Sequence, residues 1–371
     1  MVPRLILLLP LLLVLPLAPG CGLDVGDLNR RILVYALGVD STPSGATSVS
    51  ILYASPTGTS ATQGATLGTA SGNYVVQEAS AEGEAAALAR LTRAASGRLW
   101  LGSLRIVVFG ERLAQKGLGN ALAWLMVLPE VPDRTCTVVV RGRAADFLRT
   151  PSLPAGNAAA HVVEMLDGQG PSELAARGVP FYRLFDQAFR ATGSLFVPLF
   201  EARSGQVAEA GLATFRGGRL VAEVPPSLAS LFASITASGP GTVELPGWKG
   251  LPPLHLRARR LVVRAHLLGG GSAAPRLLVR IDADGVTFGE ESAALAKDPE
   301  RLFRLKVAAR LRDAFLAELR RLTAAGADPL DVGERLRERS PDGEAPPYET
   351  VARTVFVVAV RVRQAAVPIG T

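Results

Sequence analysis

Cysteine is almost missing from this chain: there are two in 371 residues, Cys21 and Cys136. That excludes a disulfide-built scaffold and any multi-cysteine metal site. Histidine is as sparse, with only His161, His255 and His266. Aromatic residues make up 6% of the chain, and they are not interleaved with the basic residues as in single-strand binders, so nucleic acid is not an expected partner. Lysine occurs only at Lys116, Lys249, Lys297 and Lys306, so the net charge of +7 is carried by arginine. Enzyme signatures are missing too. The chain has no G-x-S-x-G elbow, no G-x-x-x-x-G-K-[ST] loop, no H-E-x-x-H and no C-x-x-C. No catalytic, cofactor or metal-ligating residue is therefore expected.

What is present begins at the N-terminus. MVPRLILLLPLLLVLPLAPG combines Arg4, an apolar run from Leu5 to Leu17, and small residues. The run is too short for a spanning helix, which needs roughly 20 apolar residues, and fits the apolar region of an export signal. Cys21 follows at once, so residues 1–20 read as a lipoprotein signal peptide and Cys21 as the lipidated residue. The lipobox is imperfect: Ala18 stands where Leu is usual, and Pro19 precedes Gly20. An uncleaved N-terminal membrane helix is the alternative. A lipidated Cys21 cannot pair with Cys136, so no intramolecular disulfide is expected. Cys136, in TCTVVVRG, reads as a buried structural thiol. Beyond the leader no stretch approaches 18 apolar residues without charge. For an exported, tethered chain, the basic balance fits an anionic bilayer or acidic polymer, or simply an arginine-rich solvated surface.

The remaining chain reads as a mixed α+β and α/β protein of more than one domain. We expect an N-terminal α/β region over 21–200 and a C-terminal α+β domain over 201–371, with mixed sheets and packed helices. RILVYALGVD and SVSILYA are strands around a turn, and 55–73 is a Gly/Ser/Thr-rich loop. Strands and helices alternate from about Tyr74 to Thr150, with one helix expected over 111–128. VPFYRLFDQAFRATG places Phe181, Leu184, Phe185, Ala188 and Phe189 on one core-facing stripe. LFVPLFEARSGQVAEAGLATFRGGRLVAEV reads as strands with turns at Ser204-Gly205 and Gly217-Gly218. Two long strands, HLRARRLVVRAHLL and RLLVRIDADGVTF, follow a short helix. A long helix is expected from about Asp298 to Ala325, with Leu305, Ala308, Leu311, Phe315, Leu319 and Leu322 as its stripe. Asp298 and Pro299 suit its start. DPLDVGERLRERS is a short helix opened by Asp328 and Pro329. TVFVVAVRVRQ alternates poorly and is expected inside a sheet.

Several residues could carry chemistry, and each has a plainer reading beside it. His161 and Glu164 could share a helix face and a metal, or form an ordinary polar pair. His255 and His266 lie at opposite ends of one strand. Asp282 and Asp284 alternate and so face one side; they could hold a cation or act as acid and base, or mark a turn beside Gly285. Glu290 and Glu291 read as a solvated turn. Gly117 to Gly119 lack the third glycine of a dinucleotide fingerprint.

The order of these segments resembles the Ger(x)C family, the C-subunit lipoproteins of spore nutrient-germinant receptors. The likeness runs from Cys21 through LVYALGVD, with Gly38 and Asp40. It continues in SGRLWLGSLRIVVFGERLAQKGL, with Gly102, Gly110, Glu111, Ala114 and Gly117, and in RGRAADFLRT. GLATFRGGRLVAEV, the long helix, DPLDVGERLRERSP and the last strand follow in order. Gly22 stands where the family often has Trp, and Ser103 where it often has His. The resemblance implies a multi-domain α/β fold without a catalytic site or cofactor, anchored by acyl chains (palmitate) on Cys21 at the outer face of the spore inner membrane. It implies two membrane-embedded partners, the A-type and B-type receptor subunits. A solute-binding lipoprotein outside the cytoplasm, with a deep cleft between domains, is the alternative.

Overall fold

The structure is a computed structural model. It describes residues 31–54, 74–152, 155–167, 178–190, 194–203, 205–247, 253–268, 274–288 and 300–363. Its first part is built on one large mixed sheet. Strands β1 (Arg31–Ser41), β5 (Ile106–Gly110), β6 (Cys136–Val140) and β8 (Leu195–Arg203) run parallel in its middle. β2 (Thr47–Ala54) and β3 (Tyr74–Ala81) extend it antiparallel at one end, and β9 (Gln206–Arg216) and β10 (Arg219–Val224) at the other. Two short strands, β4 (Arg98–Trp100) and β7 (Val179–Pro180), pair with β1 and β6. The expected 200/201 boundary lies inside β8, and this sheet continues to Val224.

β5 shows why the sheet forms where it does. Its sequence is IVVFG and every residue is buried. Val107 and Phe109 point into one apolar core, and Ile106 and Val108 into another on the opposite face. A strand covered on both sides must be apolar throughout. One face carries α1 (Glu84–Ala94), α2 (Glu111–Lys116), α3 (Gly119–Met126) and α6 (Phe181–Ala188); the other carries α4 (Ala144–Arg149) and α5 (Ala158–Leu166).

The single helix expected over 111–128 is two. Gly117 takes φ +127°, outside the helical range, and Leu118 N–H donates to the Gly218 carbonyl in the β9–β10 turn. The glycine lets the chain bend so that α2 and α3 each meet the sheet. On α6, Phe181 and Leu184 are buried as expected, but Phe189 is exposed beside Phe185.

The second part is a four-stranded sheet, β11 (Gly239–Leu245), β12 (Leu254–Leu268), β13 (Arg276–Phe288) and β14 (Val355–Arg363), in that order. α7 (Pro226–Ala233) and α8 (Glu300–Ala324) cover one face. β13 and β14 are parallel, joined across α8. Among the described strands β14 therefore lies at the edge, not inside the sheet as expected; its outward residues Val355 and Val357 are exposed. The stripe of α8 begins at Phe303 and Val307, then runs through Leu311, Phe315, Leu319 and Leu322, leaving Leu305 exposed. Asp298 and Pro299, Cys21 and the leader, the 55–73 segment, and Glu290 and Glu291 lie outside the described residues. α9 (Val332–Arg337) is opened by Asp328, whose carboxylate accepts from Val332 N–H and Gly333 N–H, both at 2.8 Å.

The two parts are stitched by polar contacts. Ser194 Oγ accepts from Asp328 N–H at 2.7 Å. The Arg216 guanidinium donates to the Gly326 carbonyl at 3.2 Å and lies 4.0 Å above the Tyr348 ring in α10 (Tyr348–Ala352).

Candidate functional site

Open α/β sheets bind ligands beyond the carboxyl ends of their parallel strands. Here that edge is built around Asp40, near the end of β1. Its Oδ1 accepts from Ala144 N–H at 2.7 Å and its Oδ2 from Ala145 N–H at 3.0 Å, so it holds the start of α4. Two neighbouring glycines make room. A Cβ at Gly110 would stand 2.0 Å from Asp40 Oδ1, and one at Gly38 would stand 2.3 Å from Ser50 Oγ and 3.1 Å from Ala144 Cβ. The Gly38–Asp40 and Gly110–Glu111 pairs picked out in the sequence are thus one local device. It lets α4 close onto β1 and gives its first amides an acceptor. Burial raises the Asp40 carboxyl above its usual range, against the two amide bonds that lower it.

Around it lies a charged rim. Glu78 binds Arg143 and, at 2.6 Å, Arg149, and accepts from Ser48 Oγ at 2.7 Å. Burial alone would raise Glu78, but Arg149, Ser48 and Arg143 together hold it below the usual carboxylate range. Further along, Arg141 reaches Glu223 at 2.6 Å and Glu201 at 3.7 Å. The position where this fold class would take a ligand is filled by side chains that satisfy one another.

The other candidates are scattered. His161 Nδ1 lies 2.6 Å from Ser152 Oγ. Cys136 is half-buried, with its thiol raised by burial, beside an open cleft of ≈ 650 Å³. Arg105 and Asp167 also line that cleft and pair with each other at 2.8 Å. His255 stacks on Phe288, 5.2 Å between ring centres, while His266 stands opposite Leu278. Asp282 and Asp284 do share a side, as the alternation predicts, but they lie mid-strand in β13 rather than in a turn. Asp284 is opposite Arg260 and Arg363, and Asp282 opposite Arg361. Among the described residues no three His, Cys, Asp or Glu side chains converge to hold a metal ion. Nor is any described helix long and apolar enough to cross a membrane.

Glu209 escaped the sequence reading. It sits in β9 opposite Phe200, where the β8–β9 register shifts. Its Oε1 is buried without a hydrogen-bond partner, and burial pushes its carboxyl up to about 8. QVAEAG alternates like any strand and gave no warning of this.

Comparison with known proteins fits this architecture. Residues 24–202 match the family described as spore germination protein N-terminal domain. The fold is similar to the crystal structure of the GerBC protein, with a TM-score of 0.52 at 11% identity, covering 89% of this chain and 96% of that one. A search of curated proteins gave no match. The class is thus that of spore germination proteins built on this N-terminal domain. Residues 24–202 thus carry that family's domain, and the chain as a whole resembles the Ger(x)C family.

Proposed function

We propose that this chain is the C subunit of a spore nutrient-germinant receptor, a non-enzymatic lipoprotein held at the outer face of the spore inner membrane through Cys21. The family match over residues 24–202 is the observation that carries this reading. Its partners are the membrane-embedded A-type and B-type subunits. Tethering at Cys21 raises the local concentration of both folded parts near those partners, so contacts of modest strength suffice. One acyl chain binds a bilayer weakly, whereas the two chains of a diacylglyceryl group anchor stably. The filled carboxyl edge at Asp40 supports a protein-contact role over solute capture.

The test is the mass of the N-terminal peptide after expression with the leader in a spore-forming host, for the parent and Cys21→Ala. A diacylglyceryl mass on Cys21, with loss of membrane fractionation in the variant, is expected. A leader left intact, or a soluble product cut elsewhere, would remove the tether from the reading.

A further inference from the structure

Among the described residues, the second sheet is covered on one face only. α7 and α8 pack against one side, and the pleat fixes what stands on the other. There Arg260 and Arg264 of β12, Arg280 of β13, and Arg361 and Arg363 of β14 are all exposed. Two half-buried carboxylates, Asp282 and Asp284, share the plane, and Arg259 also reaches Asp284 at 3.6 Å. Arginine is in clear excess. Arg264 lies directly opposite Arg280, with Ala359 next across the sheet. Like charges directly opposed on a sheet weaken it. Asp282 stands diagonal to Arg264 and two residues along β13 from Arg280, while Asp284 pairs with Arg259 and stands opposite Arg260 and Arg363.

In the rows towards the start of β14 aliphatic side chains join the basic ones. Leu268 (40% exposed) and Val355 (48%) flank Arg276, and in the next row Leu278 stands between His266 and Val357 (38%). Guanidinium groups and aliphatic side chains therefore stand side by side on the open face. An acidic polymer would have no use for the aliphatic side chains. An anionic bilayer meets both: phosphates for the planar guanidinium forks, and the headgroup boundary for the aliphatic side chains.

We propose that this open face of the second sheet docks on anionic phospholipid headgroups. Arg260, Arg264, Arg280, Arg361 and Arg363 would take the phosphates, and Leu268, Val355 and Val357 the boundary region. The contact would lay the second sheet flat against the membrane instead of leaving it to swing on its tether. For its setting the idea rests on the membrane-surface reading above, but the contact itself does not require Cys21.

The experiment uses the chain from Gly22 onward, which keeps every described residue and lacks the anchor. Its co-flotation is measured with vesicles of phosphatidylcholine alone and of phosphatidylcholine with phosphatidylglycerol, and again at rising salt. Binding to the anionic vesicles only, weakening with salt, is expected. Arg264→Gln with Arg280→Gln should lower that affinity about thirty-fold, since each surface arginine is worth roughly five-fold near an anionic membrane. Both side chains point outward, so the thermal unfolding midpoint should hold or rise. Equal binding to both vesicle types, no binding, or an unaffected double variant would overturn the proposal. If vesicles fail to bind while the double variant loses a receptor subunit on co-purification, the face belongs to an acidic protein partner and the lipid proposal is refuted. A failure here leaves the anchor untouched, because the peptide mass at Cys21 reads that separately.

Discussion

Asp40 offers the sharpest test of how the large sheet is held together. Its carboxylate is 3% exposed and accepts two amide hydrogens at the start of α4, at 2.7 and 3.0 Å. Hydrogen bonds to a charged group contribute about 1.5–3 kcal/mol each. Asp40→Ala removes both and leaves two amides short of an acceptor. It also relieves the cost of keeping a charge out of water, which burial registers by raising the carboxyl. The balance is a loss of about 3 kcal/mol, a large part of a total stability of roughly 5–15 kcal/mol. Asp40→Asn keeps one acceptor oxygen and should lose about half as much. Urea unfolding followed by tryptophan fluorescence reads this directly, since Trp100 and Trp124 both belong to the large sheet and its helices. The slope against urea should stay unchanged. An Ala variant within about 0.5 kcal/mol of the parent would sink the account of the carboxylate as an anchor for α4. So would an Asn variant less stable than the Ala one.

Other outcomes follow from the same geometry. Gly110→Ala should destabilise by at least as much as Asp40→Ala, because the new methyl would press on Asp40 Oδ1; the double variant Gly110→Ala with Asp40→Ala should cost less than the two changes summed, read by the same urea assay. Glu209 keeps its proton up to about 8 in the folded chain, while the unfolded chain gives it up near 4.5. Stability should therefore fall as pH rises through that window. Discounted for partial exposure, the effect is about 2 kcal/mol, and Glu209→Gln should abolish that part of the slope between pH 5 and pH 8 in parallel urea titrations. Arg216→Ala removes the guanidinium over Tyr348 and the bond to the Gly326 carbonyl. It should cost about 1–2 kcal/mol and speed proteolysis between the two sheets, with Arg216→Lys restoring only part. Unchanged digestion would show that Arg216 does not stitch them.

Much of the fold was legible because local signals and burial agree. The β1–β2 hairpin, the IVVFG strand, the β8–β10 meander and the long helix follow from period and turn chemistry alone. Several readings failed for tertiary reasons. Gly117 looked like a tolerated glycine in one helix, but the Gly218 carbonyl takes the Leu118 amide and splits it. Leu305 continues a sound 3–4 spacing, yet the sheet under α8 selects Phe303 and Val307 at its start, while Ala308 packs against the core as expected. VFVVAV reads as a buried strand, but among the described residues it has one strand neighbour, and α8 covers one of its faces. At the candidate site, the sequence marks Gly38, Asp40 and Gly110 through the family likeness. The bond from Asp40 to an amide 104 residues away is not written in any window. The arginine face was legible as alternation in β12 and β13 separately. Its density appears only once the register sets Arg264 opposite Arg280 and brings β14 alongside.

The parallel pairing of β13 with β14 has a further consequence, in time. Arg276 meets Val355 only after α8, α9 and α10 have been made and α8 has found its place on the sheet. Closing so long a loop carries an entropic cost that must be met before the strand contacts repay it. As the chain is synthesised, the second sheet thus waits on its final strand. Until then one edge of β13 stands open, and the arginine face lacks Arg361 and Arg363. Any chain cut short before Val355 would fold its large sheet and leave the second one exposed along that edge.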